Sequence, residues 1–180
     1  MRPDGIQIRC LERIDGRALI DLCDVLIDCV EGGASVSFML PMSRAMAETF
    51  WRSVSKSASK GARRVLVAED RAGSIVGTVQ VILEQPENQP HRADVAKMLV
   101  HRRMRRKGLG ALLLEAAERC ALEAGKTLLV LDTVTGGDGE RLYARGGWIR
   151  CGVIPNYALW PDGRPCSTTV LFKDLGRKRA

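Results

Sequence analysis

The stretch His101-Arg-Arg-Met-Arg-Arg-Lys-Gly-Leu-Gly110 constrains this chain most, because it joins two segments of different period. Before it, Arg92 to His101 reads as a strand. After it, Gly108 to Ala124 puts Leu109, Leu112, Leu113, Ala116, Ala117 and Cys120 on one helical face. Glu115, Glu118, Arg119 and Glu123 lie opposite, and Gly125 is the stop. A continuous apolar run from Thr127 to Leu131 follows, the pattern of a strand covered on both faces. Strand, glycine-bearing turn, helix and strand together predict a parallel pair joined by a crossover helix.

Other segments complete the domain. Ile6 to Arg9 alternates as a first strand, and Ala18, Leu19, Leu22, Leu26, Ile27 and Val30 give a helix over Arg17 to Val30, stopped by Gly32-Gly33. Met46, Phe50 and Val54 predict a second helix over about Ser43 to Ser57, with Ser55 to Gly61 as the loop after it. Arg64 to Glu69 and Ser74 to Leu83 flank Asp70-Arg-Ala-Gly73 as a hairpin, and Gln85 to Pro90 turns into the Arg92 strand. A short helix over Gly139 to Ala144 ends at Gly146-Gly147. Strands over Trp148 to Val153 and Thr168 to Lys173 close the chain, joined by a long loop containing Pro155-Asn-Tyr157 and Pro161-Asp-Gly-Arg164. The order β-α-α-β-β-β-α-β-α-β-β is an α/β (α+β) arrangement, a mixed, mostly antiparallel sheet with helices on both faces. With neither repeat nor linker, residues 1–180 read as one domain, its core about 6–174 and a basic tail at 175–180.

Composition narrows the function. A chain of 180 residues that is 46% apolar and 27% charged is neither disordered nor fibrous. Cys10, Cys23, Cys29, Cys120, Cys151 and Cys166 are scattered, without metal-ligand or disulfide spacing, so no metal is expected and the thiols suit a reducing cytoplasm. No apolar run reaches the roughly 18 residues of a membrane span, and the first residues lack a signal-peptide pattern. The net charge of +7 is local. Arg102, Arg103, Arg105, Arg106 and Lys107 carry five positive charges and Arg177-Lys178-Arg179 three more; removing those eight takes +7 to −1. A compact cationic cluster suits a small polyanion.

The cluster opens a helix, whose first N–H groups lack intrahelical partners and carry partial positive charge, so phosphate is the natural ligand. The spacing fits neither a Walker loop nor the dinucleotide fingerprint. Arg105-x-x-Gly108-x-Gly110 resembles the Gln/Arg-x-x-Gly-x-Gly/Ala signature of GNAT-superfamily N-acetyltransferases. In that family the turn cradles the pyrophosphate of acetyl-coenzyme A, the cosubstrate. The resemblance assigns Arg105, Arg106, Lys107, Gly108, Leu109, Gly110 and Ala111 to the cofactor turn. It also assigns Met98, Leu99 and Val100 to a bulged strand whose backbone meets the pantetheine amides and the thioester carbonyl. Gly32-Gly-Ala-Ser-Val-Ser-Phe-Met39, Leu131-Asp-Thr133 and Pro161-Asp-Gly-Arg164 resemble the bacterial tabtoxin resistance acetyltransferases. Two departures stand out: Arg102 where a Pro is common, and Arg106 where the family usually has a Gly.

Acetyl transfer to an amine needs a neutral nitrogen, and a lysine-like amine of pKa about 10.4 is mostly protonated at pH 7. Asp132, following the apolar run, is the candidate base; the alternative is a strand-end Asp bonding nearby N–H groups. Tyr143, on the short helix, is the candidate acid beside the departing sulfur, or else a packing residue. Glu31, Phe38, Asn156 and Tyr157 are expected on the acceptor side. His91 and His101 receive no catalytic role.

The expected partner is a small-molecule primary amine, attacked directly in a ternary complex, with toxin or antibiotic detoxification as the implied role. A protein N-terminus or lysine is the other acceptor, and a homodimer is common in the superfamily. A nucleic-acid-binding module would want aromatic side chains near its cations, and residues 97–113 contain none, so no nucleic acid is expected. A coenzyme A sensor without catalysis is a third reading.

Overall fold

A computed structural model describes residues 5–176; most of the basic tail, including Arg177-Lys178-Arg179, and the first four residues lie outside the described residues. The elements are β1 (Gln7–Cys10), α1 (Gly16–Glu31), α2 (Arg44–Ser59), β2 (Arg63–Glu69), β3 (Ile75–Ile82) and β4 (Arg92–Val100). A 3₁₀ turn (Arg102–Met104), α3 (Leu109–Glu123), β5 (Leu128–Val134), α4 (Asp138–Arg145), β6 (Ile149–Leu159) and β7 (Pro165–Asp174) follow. The strands form one seven-stranded sheet in the order β1-β2-β3-β4-β5-β7-β6, with β4 and β5 parallel and the other neighbours antiparallel. This is the mixed sheet expected from the element order.

Helical periodicity explains the two layers. Leu22, Val25 and Leu26 of α1 and Trp51 and Val54 of α2 pack on Val65, Val67 and Leu99. On the other face, Leu109, Leu113 and Ala117 of α3 and Tyr143 of α4 pack with Val76, Val79, Ala93 and Leu129. Gly33, at φ +84°, supplies the left-handed residue that ends α1. The Ser43 hydroxyl accepts from the Met46 N–H at 3.2 Å and caps α2.

Three local expectations are corrected. α2 runs on to Ser59, because Ser55, Lys56 and Ser57 still sit in a helix anchored by Val54 in the core, so the loop is shorter than composition suggests. Leu128 to Leu131 is not covered on both faces: Leu129 and Leu131 are buried whereas Leu128 and Val130 are half-buried. Of the long loop expected before the last strand, Ile154 to Leu159 extends β6 and Pro165 to Ser167 opens β7. Pro155, Asn156 and Tyr157 bulge out of the β6–β7 ladder between Ile154↔Thr168 and Ala158↔Cys166. An edge strand tolerates this proline, whose nitrogen cannot donate.

Two irregularities position the site. β4 and β5 pair only at Arg92↔Leu128, Ala93↔Leu129 and Asp94↔Val130, and then part. Beyond that point β4 keeps β3 on its other edge and β5 keeps β7, so the sheet splits between them. The second irregularity is a bulge in β4. Thr78↔Leu99 is followed by Gln80↔Ala96, which sets Lys97 and Met98 against Val79 alone, with Lys97 at φ +51°. The bulge reverses which side chains meet which layer. Ala93 and Val95 lie under α3, and beyond the bulge Leu99 joins the α1–α2 layer while Met98 and Val100 turn to α3.

Candidate active site

The basic turn is more ordered than its composition implies. Asp28 of α1 accepts from the Arg102 backbone N–H at 2.7 Å and from its Nε at 2.9 Å. Arg103 lies 3.7 Å from Asp70. Arg105 turns inward, its Nε donating to the Val100 carbonyl at 3.1 Å. Three of the five cations are thus engaged by the fold, which corrects the picture of five charges crowded on an open helix start. Arg106 and Lys107 stay exposed, the Arg106 side chain at 85% with only a 3.7 Å approach to Asp138.

Gly108, φ +81°, is the N-cap of α3, and the N–H groups of Leu109 and Gly110 have no intrahelical acceptor. Arg106 has φ +62°. The backbone there keeps the left-handed conformation that a glycine would favour, so the turn wraps as the signature requires and Arg106 carries the strain. Gly110 serves packing: a Cβ on it would meet Leu142 Cδ2 of α4 at 3.0 Å. Met98, Leu99 and Val100 form the part of β4 that faces the split and has no β5 partner.

Asp132 lies on β5 two residues past the last β4 pair and is exposed. Tyr143 of α4 is 6% exposed, with its ring 5.7 Å from that of Trp148. Burial first, and the negative charge of Asp132 second, push its phenol well above the ordinary value, so the hydroxyl stays protonated. The two candidate acid–base residues therefore sit within each other's field. Behind them, Trp148 Nε1 donates to Glu118 Oε1 at 3.0 Å, and Lys173 Nζ donates to Glu118 Oε2 at 2.5 Å and to the Gly146 carbonyl at 2.8 Å.

The acceptor-side candidates divide. Phe38 packs edge-on to Phe50 of α2 at 5.2 Å. Its loop is tied to the β6–β7 hairpin, as Ser35 Oγ donates to the Leu159 carbonyl at 2.7 Å and the Leu40 N–H to the Pro161 carbonyl at 3.0 Å. Asn156, at φ +53°, and Tyr157, 57% exposed, occupy the β6 bulge just before that hairpin. Glu31 is placed elsewhere. Its carboxylate is 4.0 Å from Arg102, and it lines a groove along α1 with Asp21, Asp24, Asp28 and Arg103 rather than the apolar cavity lined by Phe38, Met46 and Phe50.

Sequence reasoning missed Lys97. Its Nζ donates to Ser37 Oγ at 2.9 Å and stands 5.9 Å from the centre of the Phe50 ring. The signal was present: in Ala93, Val95, Lys97 and Leu99 a lysine stands at the apolar parity of a strand. Among the described residues, no group of three or more His, Cys, Asp or Glu is arranged to hold a metal ion, and no helix is long and apolar enough to cross a membrane.

This arrangement has known counterparts. The family profile described as the acetyltransferase (GNAT) domain matches residues 61–150, which hold β2 through α4, including the split and the turn. A protein of Azospirillum brasilense described as an uncharacterized N-acetyltransferase in the hisH-hisA intergenic region is 31% identical over 127 residues, 68% of this chain and 73% of that protein. Among solved structures, a GCN5-related N-acetyltransferase from Kribbella flavida superposes with a TM-score of 0.80 at 20% identity, covering 96% of this chain and 99% of the other. The Salmonella typhimurium protein yncA, solved with its cofactor acetyl-CoA, gives 0.77 at 19% identity, covering 98% of each chain. At such identities these structures speak for the fold, while the profile and the Azospirillum relative speak for descent. On the profile match and the Azospirillum relative together, the chain belongs to the GNAT acetyltransferases.

Proposed function

We propose that this chain, acting as one domain, transfers the acetyl group of acetyl-CoA to the primary amine of a small molecule by direct attack in a ternary complex. The observation that carries this is one opening with two equipped ends. The free N–H groups of α3 stand at one end, and Asp132 and Tyr143 flank the split. Acetyl-CoA supplies a thioester-activated acetyl group. The N–H groups of Leu109 and Gly110, with the charges of Arg106 and Lys107, would hold the diphosphate, and Ala111 completes the turn. Arg105 contributes by bracing the turn through Val100. The edge of β4 over Met98, Leu99 and Val100, which has no β5 partner, offers backbone groups to the pantetheine arm, apart from the Val100 carbonyl that Arg105 engages.

Asp132, exposed at the split, accepts the ammonium proton of the acceptor and delivers a neutral nitrogen. Tyr143 keeps its proton and donates a hydrogen bond toward the sulfur as the C–N bond forms and the C–S bond breaks, while the second proton of the nitrogen passes to the departing thiolate, of pKa near 8.5, or to solvent. Phe38, Asn156 and Tyr157 shape the acceptor side. The three segments that resemble tabtoxin resistance acetyltransferases favour a toxin or antibiotic as acceptor. The test is an acetyl-CoA consumption screen over amino acids, polyamines, aminoglycosides and peptide amines, run beside thermal melting with acetyl-CoA. The expected result is a raised melting temperature and turnover with at least one small amine. No shift and no turnover would overturn the reading.

A further inference from the structure

We propose that the acceptor carries a carboxylate as well as its amine, and that Lys97 is the residue that reads it. This rests on the acetyl-transfer reading and narrows its substrate class. The argument begins with what surrounds Lys97. Among the described residues, no carboxylate lies within ion-pair distance of its ammonium group; its polar partner is the Ser37 hydroxyl, at 2.9 Å. A half-buried cation with no acid in direct contact is costly, whereas Arg102, Arg103 and Lys173 of this fold are each paired with one.

The neighbourhood is rich in donors. Gln80 lies across the β3–β4 ladder from Ala96, next to the bulge, and is fully buried. Arg63 Nη1 donates to its Oε1 at 2.8 Å, which fixes the amide orientation and leaves Gln80 Nε2 buried without a hydrogen-bond partner. The charges acting on Lys97 are Arg63 and Asp132; burial lowers its pKa, Asp132 opposes this and Arg63 adds to it.

The backbone also marks the place. Ser37 and Lys97 both hold positive φ, at +76° and +51°, and are bonded to each other across 60 positions of sequence. Non-glycine residues in that region persist where the surroundings impose them, and they gather at functional sites. Lys97 and Asp132 then present opposite charges to one acceptor, the ammonium group of Lys97 to a carboxylate and the carboxylate of Asp132 to the amine. Phe50 beside Lys97, with Phe38 packed edge-on to it, adds an apolar wall, so an amino acid with an apolar side chain fits best.

The test separates this from turnover. N-acetyl-phenylalanine, N-acetyl-methionine and N-acetyl-leucine, and their primary amides, are titrated into the CoA-saturated protein by calorimetry. For at least one pair the acid should bind about tenfold more tightly than the amide, the worth of one charge-assisted hydrogen bond. Lys97→Met should abolish the difference and Lys97→Arg should keep part of it, with melting curves checking that each variant is folded. Equal binding of acid and amide, binding of neither, or a preference that survives Lys97→Met would overturn the proposal. A protein that binds acetyl-CoA yet shows any of these results loses this inference alone; one that does not bind acetyl-CoA loses the reading on which it rests.

Discussion

Glu118 of α3 and Trp148, just after α4, are joined by a 3.0 Å hydrogen bond from the indole to a carboxylate that also holds Lys173. The contact ties the C-terminal end of α4 to α3 and so fixes where Tyr143 stands. Glu118→Ala leaves a largely buried Lys173 without its acid, since both side chains are less than a fifth exposed. It should cost about 2–3 kcal/mol in denaturant unfolding. Unchanged stability would mean the network does not brace the helix.

Tyr143→Phe should lower kcat about 10-fold to 100-fold and leave the KM for acetyl-CoA within a factor of about two, because in the proposed mechanism the phenol acts on the leaving sulfur and not on the diphosphate. A second readout is stability against pH. With the folded pKa raised above the unfolded value near 10, the unfolded chain ionises first. The contribution is whole below about pH 10 and is lost as pH rises from there through the folded value. Unfolding measured between pH 8 and 11 should show wild type losing more stability than Tyr143→Phe.

Arg106 and Gly108 separate conformation from charge at the turn. Arg106→Gly removes a left-handed arginine and should leave stability equal or raised by up to about 1 kcal/mol, while the KM for acetyl-CoA rises severalfold with the lost cation. Gly108→Glu puts a side chain at φ +81° and a negative charge at the helix start, and should weaken acetyl-CoA binding far more than it lowers melting. Calorimetric titration of both variants checks the pair.

Asp28→Asn should lower the melting temperature at neutral pH. Burial alone would push the Asp28 carboxyl up, but hydrogen bonds from the Arg102 backbone and guanidinium, with the charge of His101, outweigh it and hold it below the ordinary range. A depressed pKa stabilises the fold above the unfolded value near 4 and ceases to do so as pH falls through the folded value. The gap between wild type and Asp28→Asn should therefore narrow below about pH 4 in acid melting curves.

Local period made much of this legible. Arg92 to His101, the glycine turn and the Gly108 to Ala124 helix are visible in spacing alone, and the parallel pair follows from the crossover between them. What stayed hidden depends on distant partners. Asp28 meets Arg102 across 74 positions and Asp70 meets Arg103, pairings that local spacing does not show. The β4 bulge shifts parity in mid-strand, so Lys97 falls on a position that alternation assigns to the core and no local rule re-aims. Pro155 and Asn156 are loop residues by type and end the strand pattern early, yet they sit in a bulge at the sheet edge.

The split between β4 and β5 is bordered on both sides by strands laddered to other neighbours, β3 for one and β7 for the other. Neither border can swing without unzipping a ladder. The aperture is a slot whose width belongs to the resting fold, so in the proposed function adaptation to different acceptors falls to the tethered Phe38 loop and the β6 bulge. Exchanging those two surface pieces between related chains is the economical way to change the amine while keeping the thioester's berth.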